Sequence, residues 1–152
     1  MRLDRRWWVA IAVVVVAIVA FVLSETVFGR PSEECKPVAA LLEFNSSQSE
    51  LIASKTGDAD PAVPSVAEDA AYQQWADGLA QRAAEVTEPN LANTAVQVAD
   101  NASQFVAKLP LLRTEAQSSA PGAPAPPVLF EMSVLNQRIT DGFNQLSDAC
   151  KL

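Results

Sequence analysis

The stretch LANTAVQVADNASQFVAKL, residues 91–109, decides the fold class. Its apolar residues recur at alternating intervals of four and three, a spacing that places side chains on one face of an α-helix. The members of this stripe are Leu91, Ala95, Val98, Ala102, Phe105 and Leu109. Pro89 is tolerated in a first helical turn, and we expect Pro110 to end the helix.

Three further segments show helical periodicity, and no segment shows convincing strand alternation, so the sequence predicts an all-α domain. The first runs from about Pro37 to Ser54. The second begins at the capping-box pair Ser65 and Glu68 and continues to about Val86. The last covers about Val128 to Cys150. The inward residues are Val38, Leu41, Leu42, Phe44, Leu51 and Ile52 in the first; Tyr72, Trp75, Leu79, Ala83 and Val86 in the second; and Met132, Leu135, Ile139, Phe143 and Leu146 in the last.

Two segments rich in proline and small polar residues separate these helices. KTGDADPAVPS, residues 55–65, and the stretch from 113 to 127 have linker compositions, and the second favours an extended polyproline II conformation. The predicted organisation is therefore a start and anchor at 1–28 and a helical body at 29–152, with linkers at 55–65 and 113–127.

The two cysteines extend the inward stripes of the outermost helices. Cys35 precedes Val38 by three residues, and Cys150 follows Leu146 by four. In an up-down bundle these ends meet only when the number of helices is even, and a disulfide needs Cα atoms within about 7 Å. The sequence thus predicts a four-helix bundle closed by a Cys35–Cys150 disulfide. Two free buried thiols, or an intermolecular bridge through Cys150, are the alternatives.

The N-terminal segment has the character of a membrane anchor. From Trp7 to Leu23 the chain holds 17 consecutive apolar residues, about 25 Å of helix at a rise of about 1.5 Å per residue. Arg5 and Arg6 precede this run, and acidic residues follow it, so the positive-inside rule predicts a cytoplasmic N-terminus and an extracytoplasmic body. Trp7 and Trp8 suit the membrane interface. A cleaved signal peptide is the alternative.

Composition argues against nucleic-acid binding and against common catalytic sites. Residues 1–24 carry a charge of plus 2 within a total of minus 7, so the remainder carries minus 9 and offers phosphates no cationic surface. The chain has no histidine, which removes the usual triads and zinc sites. Asp58 and Asp60 lack the further ligands of a calcium loop, and a solvated turn explains them better. We expect no enzymatic activity, no cofactor and no metal.

A small set of residues could line a binding site. Phe44, Trp75 and Phe105 are candidates for an apolar ligand pocket between the helices, although core packing is the favoured explanation of aromatic residues at this spacing. Asn45 and Gln48 lie near the inner face of the first helix. They indicate either a polar pocket or a helix that is only half buried.

The alanine- and valine-rich, lysine-poor composition, the arginine-rich start, the single anchor, the two-cysteine helical body and the APGAPAPP segment resemble small single-pass cell-envelope proteins of actinobacteria, of the mycobacterial type. This resemblance implies a cell-envelope setting and carries over no site residues.

Three functional classes follow from these features. The first, which the acidic and tethered body favours, is a plasma-membrane-anchored interaction module, an accessory or assembly subunit whose partner is another envelope membrane protein. The alternative is a binding protein that holds a lipid or other apolar ligand between its helices; an extracytoplasmic enzyme comes third. For the first class we expect partner contact at the end of the bundle opposite the cysteines or on an exposed helix face beside it, unless the connections there are passive linkers.

Overall fold

A computed structural model describes residues 32–55, 65–118, 120 and 124–152, and within them the chain forms four α-helices. They are α1 (Lys36–Lys55), α2 (Val66–Ala83), α3 (Pro89–Ser118) and α4 (Pro127–Cys150), and a short 3-10 turn, Glu33–Cys35, precedes α1. No strand occurs in these described ranges. The predicted all-α class and the four helices are confirmed.

Consecutive helices run antiparallel, as polar contacts between them show. The contacts pair Asn45 with Trp75, Asp69 with Arg113, and Lys108 with Glu131. Asp69, early in α2, meets Arg113, late in α3, and Lys108, in the second half of α3, meets Glu131, early in α4. Asn45 and Trp75 both lie near the middle of their helices. The chain therefore alternates in direction, and the start of α1 and the end of α4 lie at the same end of the bundle.

Cys35 and Cys150 close this end. Their Cα atoms are 5.7 Å apart, and the two residues pair as a disulfide across a sequence separation of 115. Cys35 is buried. The predicted pairing is confirmed, and so is the even helix count from which it was inferred.

The helix starts follow from local hydrogen bonding. At α2 the backbone N–H of Ser65 donates to Oε2 of Glu68 over 2.6 Å, the reciprocal arm of the predicted capping box. At α3 the carboxylate of Glu88 accepts a hydrogen bond from the backbone N–H of Leu91 over 2.7 Å. This hydrogen bond lowers the pKa of Glu88 below its ordinary value, because it favours the ionised form.

Pro110 does not end α3, and that prediction is wrong. The helix continues to Ser118 with Pro110 inside it, so residues 113–118, assigned to a linker by composition, are helical. A proline in a helix interior removes a hydrogen bond and costs about 3 kcal/mol. Leu109 and Leu112 are buried on either side of it, and Arg113 forms an ion pair with Asp69 over 2.6 Å. These tertiary contacts offset the local cost.

Buried side chains form two clusters along the bundle axis. The disulfide half comprises the first halves of α1 and α3 with the second halves of α2 and α4; the distal half is the remainder. The larger cluster lies in the disulfide half and contains Val38, Leu41, Trp75, Ala76, Leu79, Ala83, Val86, Ala95, Val98, Ala99, Ala102, Ile139 and Leu146. The smaller cluster lies in the distal half and contains Leu109, Leu112, Val128 and Met132.

Helix α1 is buried only near the disulfide. Val38 and Leu41 are fully buried, whereas no residue of α1 beyond Leu41 is. Leu51, predicted to face inward, is 36% exposed, so that assignment is corrected. The polar run from Asn45 to Ser49 interrupts the stripe, and little apolar surface is left to bury in the last turns of α1.

No helix within the described residues has the length and apolar character needed to cross a bilayer. The anchor predicted for residues 1–28, with Arg5, Arg6, Trp7 and Trp8 at the membrane interface, lies outside the described residues and stays a prediction.

Candidate functional site

The three aromatic residues predicted to line an apolar pocket take up two different environments. Trp75 and Phe105 contact each other edge to face, with ring centroids 6.4 Å apart. Tyr72 adds a tilted contact with Phe105 at 6.1 Å. This geometry is favourable for aromatic quadrupoles, and the rings fill space with one another between α2 and α3.

The side chain of Phe44, in α1, packs against α2. Its ring packs over Gly78, where a Cβ atom would overlap it, and the guanidinium carbon of Arg82 is 3.7 Å from the ring centroid. The small residue and the cation thus hold the ring on two sides. Phe44 packs against the edge of the larger cluster, but the structure gives it neighbours distinct from the Trp75–Phe105 pair.

The two amide side chains near the inner face of α1 differ in their hydrogen bonding. Oδ1 of Asn45 accepts a hydrogen bond from Nε1 of Trp75 over 2.9 Å, which satisfies the indole N–H in a partly buried position. Oε1 of Gln48 is buried and has no hydrogen-bond partner in the described part of the chain. Asn45 is therefore the polar partner of a core tryptophan.

The hydroxyl of Tyr72 and the carboxylate of Glu68 lie near each other at the start of α2. Burial raises the pKa of the Tyr72 hydroxyl above 10.0, and the negative charge of Glu68 raises it further. Glu68 is only 6% exposed, yet its carboxylate has the Ser65 N–H as a partner. Both effects are explained by their position at the start of α2, and neither requires a substrate.

Exposed apolar side chains concentrate in the distal half. The described residues contain seven large apolar side chains that are exposed, and five of them lie there. These five, called the distal apolar residues below, are Leu51, Val66, Leu111, Leu129 and Phe130. Phe130 is 73% exposed and Val66 69% exposed. On adjacent helices joined by the ion pair between Lys108 and Glu131, Leu111 lies three residues after Lys108 and Leu129 lies two residues before Glu131.

Sequence periodicity did not single out Phe130 or Leu129. The signal was available, because both fall outside the inward stripe through Met132 and Leu135, and an aromatic residue off the stripe of an amphipathic helix must face solvent or a partner. The buried Gly142 was also missed. A Cβ atom there would overlap Val98, so α3 and α4 approach closely at this point.

Two surface grooves lie between neighbouring helices and are lined mainly by polar side chains. The α3–α4 groove has a volume of about 540 Å³ and is lined by Thr94, Gln97, Val98, Asp100, Asn101, Gln104, Arg138, Asp141, Gly142 and Gln145. The α1–α2 groove has a volume of about 630 Å³ and is lined by Phe44, Ala70, Gln73, Gln74, Asp77, Gly78, Gln81 and Arg82.

The described residues contain no group of three or more metal-ligating side chains placed to hold an ion. Asp58 and Asp60 lie outside the described residues. No protein-family model, no curated protein and no solved structure matches this chain.

Proposed function

We propose that this chain is a membrane-anchored, non-enzymatic interaction module of a cell envelope, which binds a partner membrane protein through the distal half of its helical bundle. In this proposal residues 7–23 hold the chain in the membrane, and the bundle is the extracytoplasmic part that recognises the partner.

The observation that supports the proposal is the placement of the distal apolar residues. Single exposed apolar side chains are common on protein surfaces, but their concentration in one half of a small domain is typical of an interaction surface. Phe130 is the strongest candidate anchor, because an exposed aromatic ring can insert into a partner's pocket, and aromatic residues are enriched at interfaces.

The rigid half of the molecule supports the same interpretation. The disulfide and the larger cluster hold α1 and α4 together at the opposite end, so the helices that carry the distal residues are joined to one packed scaffold. Presentation on a preorganised scaffold reduces the entropy lost on binding.

The proposal is tested by site-specific photo-cross-linking in cells that express the native protein. Phe130 is replaced by a benzoyl-phenylalanine, which keeps the aromatic ring. The matched control carries the same group at Asn144, an exposed position on the same helix in the disulfide half. We expect irradiation to yield a discrete cross-linked membrane protein from position 130 and none from position 144. Equal products from both positions, or cross-links from position 130 to lipid alone, would contradict the proposal.

A further inference from the structure

The α3–α4 groove differs from the α1–α2 groove in one respect: none of its charged side chains is paired within the described residues. Seven side chains there make no hydrogen bond or ion pair within the described residues, and they are Gln97, Asp100, Asn101, Gln104, Arg138, Asp141 and Gln145. Arg138 shares the groove with two carboxylates and pairs with neither.

The α1–α2 groove, of similar volume, shows the opposite arrangement. There Nε2 of Gln73 donates to Oδ1 of Asp77 over 3.0 Å. The guanidinium of Arg82 donates to the backbone carbonyl of Gly78 over 3.2 Å and lies over the ring of Phe44. In that groove both charged side chains, Asp77 and Arg82, make intramolecular contacts. In the α3–α4 groove none of the charged side chains makes such a contact within the described residues.

The amides in the α3–α4 groove form a row whose spacing is somewhat shorter than the repeat of an extended polypeptide, and flexible glutamine side chains can span the difference. Gln97, Asn101 and Gln104 follow one another along α3 at intervals of four and three residues, so successive amides lie about 6 Å and about 4.5 Å apart at a rise of about 1.5 Å per residue. In an extended peptide, groups on the same side repeat about every 6.6 Å. Each carboxamide offers one acceptor and donors, which is what a backbone N–H and C=O pair requires. Thr94 to Gln104 spans about 15 Å, the length of four or five extended residues.

The floor of the groove limits the side chains that fit. Gly142 presents no side chain, and Val98 covers the close approach between α3 and α4. The floor therefore provides a short apolar contact that suits alanine-sized groups. Asp100 and Asp141 favour a cationic residue above them, and Arg138 suits a backbone carbonyl. No aromatic residue lines this groove, and sugar rings bind best against aromatic faces, so a peptide is favoured over a glycan.

We infer that the α3–α4 groove binds an extended peptide segment with small side chains and one basic residue, through hydrogen bonds to the peptide backbone. The groove lies mainly in the disulfide half, apart from the distal apolar residues, so binding here can be lost while partner contact at Phe130 is retained.

The test uses the full chain in lipid nanodiscs and the capped pentapeptide Ac-Ala-Ala-Lys-Ala-Ala-NH2 as the probe. Methyl signals of Val98 report on the groove floor, and those of the fully buried Leu79 serve as the internal reference. We expect saturable shifts of the Val98 methyl signals with a Kd below about 1 mM, and no shift of Leu79. A peptide with proline in place of the alanines at positions 2 and 4 has the same charge but fewer backbone donors. It should therefore bind at least about fivefold more weakly.

Matched variants assign the binding to the amides. Gln97→Ala with Gln104→Ala removes two exposed side chains from the groove and should weaken binding by about tenfold. Gln74→Ala with Gln81→Ala removes two exposed glutamines from the α1–α2 groove and should leave binding unchanged. Exposed glutamines contribute little to stability, so both variants should keep the unfolding temperature of the native chain.

Three results would overturn the inference. The first is no Val98 shift at about ten times the expected upper Kd. The second is equal binding of the alanine and proline peptides, which would indicate attraction of the lysine alone. The third is binding of a trimer of N-acetylglucosamine in preference to the peptide, which would assign the groove to glycans.

Discussion

In the half of the bundle that carries the disulfide, all four helices contribute buried side chains to one cluster, whereas in the distal half the buried cluster comes from α3 and α4 alone. The distal half also contains most of the exposed large apolar side chains of the described residues and the proline within α3. The difference indicates that buried packing concentrates in one half, while the other half is the one to which we assign partner contact in the proposed function.

Of the changes considered, removing the disulfide should lower the free energy of unfolding most. Replacing Cys35→Ser and Cys150→Ser frees a loop of 115 residues, and we expect the free energy of unfolding to fall by about 4 kcal/mol. Guanidinium unfolding of the full chain in detergent, followed by helical circular dichroism, measures this change. A reducing agent should destabilise the native chain similarly and leave the double-serine variant unchanged. A loss below about 1 kcal/mol would mean that packing alone holds the disulfide half together.

Matched leucine truncations compare the two halves directly. Leu79 is fully buried in the larger cluster, and the side chain of Leu112 in the smaller one is only 3% exposed. We expect Leu79→Ala to lower the free energy of unfolding by about 4 kcal/mol and Leu112→Ala by about 2 kcal/mol, because the distal site can collapse more easily around the lost volume. The same unfolding measurement applies. Equal losses would show that the two halves are packed equally well.

The smallest expected effect on stability comes from the ionisation of Tyr72 in the distal half as the pH rises. The fold raises the pKa of Tyr72 above 10.0, so the folded state holds this proton more tightly than the unfolded chain. Stability from this group is fully present below about pH 10 and is lost as the pH rises through the higher folded value. Tyr72→Phe should therefore lose less stability between pH 9 and pH 11 than the native chain.

Tyr72 is the only tyrosine in the sequence, so an ultraviolet absorbance titration of the folded protein reads its ionisation alone. A folded pKa at or below 10.0 would remove the basis for the difference between the two proteins.

Local rules were sufficient for the helices and the cysteine pair. The periodicity through Leu91 and Leu109, the capping box at Ser65 and the even helix count each depend on residues close in sequence or on a simple topological argument. They predicted the four helices and the pairing of Cys35 with Cys150.

Features that depend on the register between helices could not be predicted in this way. Pro110 follows the local rule for a helix end, but burial of Leu109 and Leu112 against α4 overrides that rule. The hydrogen bond from Trp75 to Asn45 and the close approach at Gly142 likewise exist only once neighbouring helices are aligned. The candidate grooves are formed between helices, so their unpaired side chains are visible only in the folded chain.

The disulfide also has a topological consequence. Because it joins residues 115 apart, the chain from Cys35 to Cys150 is a covalent ring. A single proteolytic cut anywhere within that ring opens it but releases no fragment, since both pieces stay attached through the sulfur atoms. Two cuts within the ring, or one cut and a reductant, are therefore needed before a piece of the helical body is released, which would protect the chain from proteases if it lies outside the cell as proposed.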